Sequence, residues 1–184
     1  MTIYTPNTSP TKAPTKAPAK ARLTFTPHKG KNDDPRVFFL RYEEQLRLQY
    51  PTITGRVCYI VSGIYTKGGV PHKFVKIGWT DSFFSFDDPI QGKRVNGRFY
   101  TIIMDLRKIF KTEYVKIDTV LAAYKEIGSI PIKSFEAQLL KETKEWKLKI
   151  GAKMEYRDFE SGAKILAKAN KLQEEFSQYI AKVL

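Results

Sequence analysis

Apolar residues recur along this chain at distinct spacings, and each spacing implies an element. Phe39, Tyr42, Leu46 and Tyr50 fall three or four apart, the repeat of one helix face. Asp34 and Pro35 stand where a cap and a first-turn proline would begin that helix, and Pro51 stops it. Residues 57–65 and 74–79 are rich in β-branched and aromatic types. Lys67-Gly68-Gly69 between them is a turn signal, so the two segments predict a hairpin. Residues 81–97 are polar, aromatic and broken by glycine, which predicts mostly loop. Residues 100–110 are apolar in a pattern that suits helix or strand, and residues 117–124 read as a third strand. Pro131 opens a helix expected to run to residue 150, with Phe135, Leu139, Thr143 and Trp146 along it. A final helix would place Ile165, Ala169, Leu172, Phe176, Ile180 and Val183 on one stripe. The expected fold class is α+β, a small three-stranded antiparallel sheet flanked by helices.

Residues 1–32 lack this patterning. They carry Lys12, Lys16, Lys20, Arg22, Lys29 and Lys31, no acidic residue and five of the ten prolines. Thr-Lys-Ala-Pro at residues 11–14 repeats at 15–18. Such a segment buries too little apolar surface to offset its ordering entropy. A disordered basic tail is therefore expected ahead of a single globular domain over residues 33–184. The whole chain holds 32 Lys and Arg against 19 Asp and Glu, a net charge of +13. That excess favours a polyanionic partner, most simply nucleic acid. The tail itself reads either as a phosphate-contacting arm or as a solubilising linker. No apolar run is long enough for a membrane span, and no secretory h-region opens the chain. The single Cys58, read as a small buried hydrophobe, leaves no disulfide framework. The reducing interior of a cell, or a virus or phage particle assembled there, is the expected setting.

Several chemistries find no residues to carry them. There is no Gly-x-x-x-x-Gly-Lys-Ser/Thr loop and no Gly-x-Ser-x-Gly elbow. His28 falls in the tail and His72 in the hairpin, and two histidines with one cysteine do not make the usual four-ligand zinc site. What remains is an ordered series. Val57-Cys58-Tyr59-Ile60-Val61 lies in the first strand and Phe74-Val75-Lys76-Ile77-Gly78-Trp79-Thr80 in the second. Arg94 and Arg98 follow, then Phe135-Glu136-Ala137-Gln138-Leu139-Leu140 on a helix, and Met154-Glu155-Tyr156-Arg157-Asp158-Phe159 near the end.

This order resembles the GIY-YIG nuclease superfamily, in particular its phage- and virus-associated branch. The second motif of that branch commonly reads Lys-Ile-Gly-x-Thr, which Lys76-Ile77-Gly78-Trp79-Thr80 matches in full. The resemblance covers residues 55–172 and leaves out the tail and the first helix. It implies that Tyr59 is the general base on the attacking water. It implies that Lys76 stands where many members have a second tyrosine. Arg94 best matches the arginine that contacts the scissile phosphate, with Arg98 as its competitor. Glu136 matches the helical glutamate that holds one divalent ion, Mg²⁺ or Mn²⁺. Three departures stand out: Val57-Cys58 replaces Gly-Ile, Leu140 stands where the branch often has a histidine, and the aromatic loop with Phe83, Phe84 and Phe86 blurs the arginine alignment.

These residue types suit phosphodiester hydrolysis, which needs an activated water and positive charge near the developing anion. A hard oxygen ligand such as Glu136 suits Mg²⁺, and arginine offers phosphate a planar fork. A phenol with a usual pKa of about 10 needs neighbouring positive charge to act as a base, which Lys76 on the adjacent strand could supply. Each residue also has a plain structural reading. Tyr59 could be a core-edge aromatic, Lys76 a solvent-facing strand residue, Glu136 a helix-dipole partner, and Arg94 a simple phosphate contact. Two functions therefore stand open. One is a metal-dependent endonuclease acting on DNA. The other is a noncatalytic nucleic-acid-binding or virion packaging protein, using Lys93, Arg98, Arg107, Lys108 and Lys111, with Phe99 and Tyr100 for stacking.

Overall fold

The computed structural model describes residues 35–184 apart from 112, 113, 151, 152 and 154. The expected basic tail and the Asp34 cap lie outside the described residues. Helix α1 spans Pro35–Gln49, and Tyr50 N–H closes onto the Leu46 carbonyl just before Pro51 stops it. Strands β1 (Val57–Lys67) and β2 (Val70–Thr80) form the expected hairpin, longer than its apolar core suggested. Gly68 and Gly69, both at positive φ, make its turn, a conformation that side chains with a Cβ resist. Strands β3 (Phe86–Asp88) and β4 (Lys93–Val95) pair within the segment expected to be loop. Helix α2 (Arg98–Phe110) decides the ambiguous apolar stretch as helix. Strand β5 (Val115–Glu126), helix α3 (Ile132–Glu142), strand β6 (Tyr156–Arg157), helix α4 (Gly162–Glu175) and strand β7 (Ile180–Lys182) complete the order.

The main sheet has five strands in the order β6-β2-β1-β5-β7, and every neighbouring pair is antiparallel. β1 is central and its first seven residues are buried, because both faces of the sheet are covered. Alternate residues point to opposite layers. Tyr59, Val61 and Phe74 join α1 and α2 residues such as Leu46, Phe99, Ile103 and Leu106 on one face. Cys58, Ile60 and Ile77 join Phe135, Leu139, Ile165 and Ala169 of α3 and α4 on the other.

The expected three-stranded sheet is thus extended at both edges, and each addition corrects a helix boundary. α3 stops at Glu142, not near residue 150. Thr143 Oγ1 donates back to the Leu139 carbonyl at 2.7 Å. Arg157 Nη2 takes the Leu140 carbonyl at 2.9 Å, and Arg157 Nε donates to Thr143 Oγ1. With those groups engaged, the chain turns back: Leu148 N–H donates to the Tyr156 carbonyl and Asp158 N–H to the Trp146 carbonyl. The last helix likewise ends at Glu175, and Ile180 sits in β7 opposite Glu126 of β5. The apolar stripe is real in α4 for Ile165, Ala169 and Leu172, but beyond it the open edge of β5 captures the chain. Among the described residues no helix is long and apolar enough to cross a membrane. Asp34–Leu184 forms one compact unit.

Candidate functional site

Tyr59 lies in the middle of β1 with Gly78 directly opposite on β2. The absence of a side chain at Gly78 is what lets the phenol lie there. A Cβ built on Gly78 would run into the Tyr59 hydroxyl and come within 2.8 Å of its Cζ. Two residues earlier on the same face of β2 is Lys76, paired in register with Tyr156 of β6. Lys76 is only 1% exposed, so it is not the solvent-facing lysine that its strand position alone suggests. Its ammonium stands 4.6 Å over the Tyr156 ring and makes an ion pair with Glu155 Oε2.

Arg98 opens α2, and several contacts fix where it starts. Arg98 N–H donates to the Ser82 carbonyl at 3.0 Å and Phe99 N–H to the Phe83 carbonyl at 2.9 Å. Gly97 fits against the backbone of residues 83–85 where any Cβ would collide. Its N–H donates to Ser85 Oγ, and Ser85 N–H donates to the buried Glu43 carboxylate of α1. From this fixed start the Arg98 guanidinium reaches two partners. Nε donates to the Tyr59 hydroxyl oxygen at 3.1 Å, and Nη2 lies 3.5 Å from Glu155 Oε2. Arg98 and Glu155 retain side-chain exposures of 29% and 28%, so these two carry the buried group out to solvent.

Glu136, on α3, has no hydrogen-bond or ion-pair partner among the described residues, though only 8% of it is exposed. Burial raises its pKa, and the Glu155 carboxylate adds to that, while Lys76 and Arg98 pull the other way. Burial also dominates at the remaining members. It pushes the Tyr59 phenol well above its usual value, against the pull of Arg98. It lowers the Lys76 ammonium to about 8, against the support of Glu155.

The site therefore gathers three of the residues singled out in the sequence, Tyr59, Lys76 and Arg98, while Glu136 stands on α3, which packs on the other face of the sheet, and makes no hydrogen bond or ion pair with them. Arg94 is placed elsewhere. It sits on β4, where its guanidinium lies 3.8 Å from Glu43 and 3.7 Å from Asp87, so Arg98 is the arginine that meets the tyrosine. Lys93, Lys108 and Lys111 are exposed, and Arg107 is half-buried. Arg107 and Lys108 are in the last turn of α2 and Lys111 is its C-cap, roughly 14–20 Å along the axis from Arg98. Phe99 is buried in the core and is not free to stack on a base. Phe83 and Phe84 also pack inward.

Glu155 had no role in the sequence reading although it binds both cations of the site. Its motif was visible as the lone acid before Tyr156, but its partners lie on β2 and α2, far away in sequence. Glu43, which braces the start of α2 through Ser85, gave no signal at all.

Among the described residues no three His, Cys, Asp or Glu side chains gather into a metal-ligand group. Glu136 is instead a single buried carboxylate with no partner of its own. That donor fits Mg²⁺, which keeps several waters and takes one or two carboxylates. No family model, curated protein or solved structure matches this chain.

Proposed function

We propose that this protein is a metal-dependent endonuclease that hydrolyses phosphodiester bonds in DNA. One relationship carries the reading: Arg98 reaches the Tyr59 hydroxyl and the Glu155 carboxylate at once, with Lys76 on that same carboxylate. In this reading Tyr59 acts as its phenolate: water attacks phosphorus and gives its proton to that oxygen, while the bond to the leaving oxygen breaks and that oxygen takes a proton from solvent. Arg98 holds the phenol oxygen and presents its remaining N–H groups to the phosphate. Lys76 adds a second positive charge in a dry setting, where charge acts strongly. Glu136 would hold Mg²⁺ or Mn²⁺, and a bound ion would serve as a Lewis acid on the phosphate. Burial works against Tyr59 as a base, and the pull of Arg98 offsets that burial only in part.

The test is a cleavage assay on plasmid DNA with Mg²⁺, Mn²⁺ or chelator, on wild type and Glu136→Ala. Cutting that needs the metal and disappears in the variant, with DNA binding retained, supports the reading. Cutting that proceeds in chelator, or survives Glu136→Ala, overturns it.

One observation favours a second reading, a noncatalytic DNA-binding protein. Tyr59 and Lys76 are shut away from solvent, and Glu155 already neutralises the cations. Binding would then run through exposed Lys93, Lys108 and Lys111, and would weaken steeply with salt. A metal-dependent cleavage product excludes it.

A further inference from the structure

We propose that Glu155 is a stand-in for phosphate: its carboxylate occupies the place between Lys76 and Arg98 that a phosphate group of the ligand takes over. Binding is then an exchange of one anion for another. The identity of the ligand rests on the endonuclease reading, but the exchange itself needs no catalysis.

Two cations from separate elements converge on one carboxylate oxygen. Lys76 Nζ and Arg98 Nη2 both address Glu155 Oε2. For Lys76 this is its one ion pair among the described residues, and a buried ammonium without a counter-ion is strongly unfavourable. An anion there keeps the buried Lys76 ammonium charged whenever no ligand does. Glu155 fills that need with little else binding its side chain. It precedes the two-residue strand β6 and keeps contact with solvent, so it can swing outward while its carbonyl still accepts from Ile77 N–H.

The pocket of donors is larger than a carboxylate uses. Arg98 touches Glu155 through a single long contact of 3.5 Å, not through both prongs of its fork. The Tyr156 hydroxyl is buried in the same group and has no hydrogen-bond partner among the described residues. Its ring lies 4.6 Å beneath the Lys76 ammonium. A tetrahedral phosphate offers more acceptor oxygens, in more directions, than a planar carboxylate, and suits a lysine, an arginine fork and a spare hydroxyl. The shared chemistry is a phosphate anion, either free or in a nucleic-acid backbone.

The test measures binding of inorganic phosphate, and separately of a short DNA duplex, to the full chain without divalent metal. Glu155→Gln keeps the shape and removes the competing charge. It should bind phosphate at least about tenfold more tightly than wild type. Adding Arg98→Gln to that variant should abolish the gain. Tighter binding of the duplex as well as of phosphate identifies the backbone phosphodiester as a ligand, and a gain confined to phosphate identifies the free anion. Equal or weaker phosphate binding by folded Glu155→Gln overturns the proposal. If that variant does not fold, the wild type decides: saturating phosphate should shift the Glu155 side-chain carboxyl resonance in ¹³C NMR, and an unmoved resonance overturns the proposal. Neither measurement uses cleavage. A failed cleavage assay leaves them standing, and their failure leaves the Glu136→Ala assay standing.

Discussion

The Nε of Arg98 donates a hydrogen bond to the Tyr59 hydroxyl oxygen at 3.1 Å. Lys76, the cation expected to stand beside that phenol, is turned instead to Glu155. The oxygen that would receive the proton of an attacking water is therefore held by the first residue of α2.

Arg98→Gln should lower the DNA cleavage rate by about 10²–10³-fold, the usual effect of removing one charge-stabilising donor. Arg98→Lys should recover little of it, because an ammonium cannot address the phenol and a phosphate as a fork does. Rates on plasmid DNA, with thermal midpoints to confirm folding, check this.

Gly78→Ala should destabilise the fold by about 1–3 kcal/mol, the usual cost of forcing extra volume into a packed site. Its Cβ would strike the Tyr59 ring, which cannot retreat because β1 is buried on both faces. Urea unfolding measures the loss. Unchanged stability would show that the phenol does not lie over β2.

Lys76 should titrate near pH 8, against an ordinary value of 10.5, because burial disfavours its charge. From about pH 8 upward the unfolded chain binds a proton that the folded chain has released, so stability rises with pH. Well below pH 8 both states are protonated and the effect is absent. Urea midpoints at pH 7.5 and 9.5 should show a smaller rise in Lys76→Met than in wild type. Glu155→Gln removes the main influence holding the value up, so the Lys76 resonance should titrate lower still.

Arg157→Ala should cost about 3–5 kcal/mol, because it leaves buried acceptors without their donor, at about 1–3 kcal/mol each, and opens a cavity. Its guanidinium and Nε bind the Leu140 and Tyr156 carbonyls and Thr143 Oγ1. Losing it should free both the end of α3 and β6, and with β6 the position of Glu155. Denaturant unfolding gives the magnitude. Faster amide exchange at Asp158, which donates to the Trp146 carbonyl, would locate the loosening.

Local pattern carried the first helix, the hairpin and its glycine turn, and the third strand, because each is written in neighbouring residues. It also marked Tyr59, Lys76 and Glu136, whose motif spacing survives without knowledge of the fold. It failed where a distant segment competes for the backbone. Thr143 and Trp146 continue a helical spacing, yet Arg157 takes the Leu140 carbonyl and the Thr143 hydroxyl there and the chain joins β6. Ile180 continues a helical stripe, yet the open edge of β5 draws it into a strand. Periodicity records which side chains are apolar and is silent on which backbone groups find partners.

The same division applies to the site. Residue order and composition establish a basic chain with an α+β pattern and a tyrosine, a lysine and a glutamate in a suggestive order. Tertiary structure alone set Arg98 rather than Arg94 beside Tyr59, because α2 begins where Gly97 fits against residues 83–85 and Ser85 meets Glu43. It alone brought Glu155 to Lys76, across a two-residue strand at the edge of the sheet. Charge acts through space, and the distances that govern it are set by packing and strand register between segments that no local pattern connects.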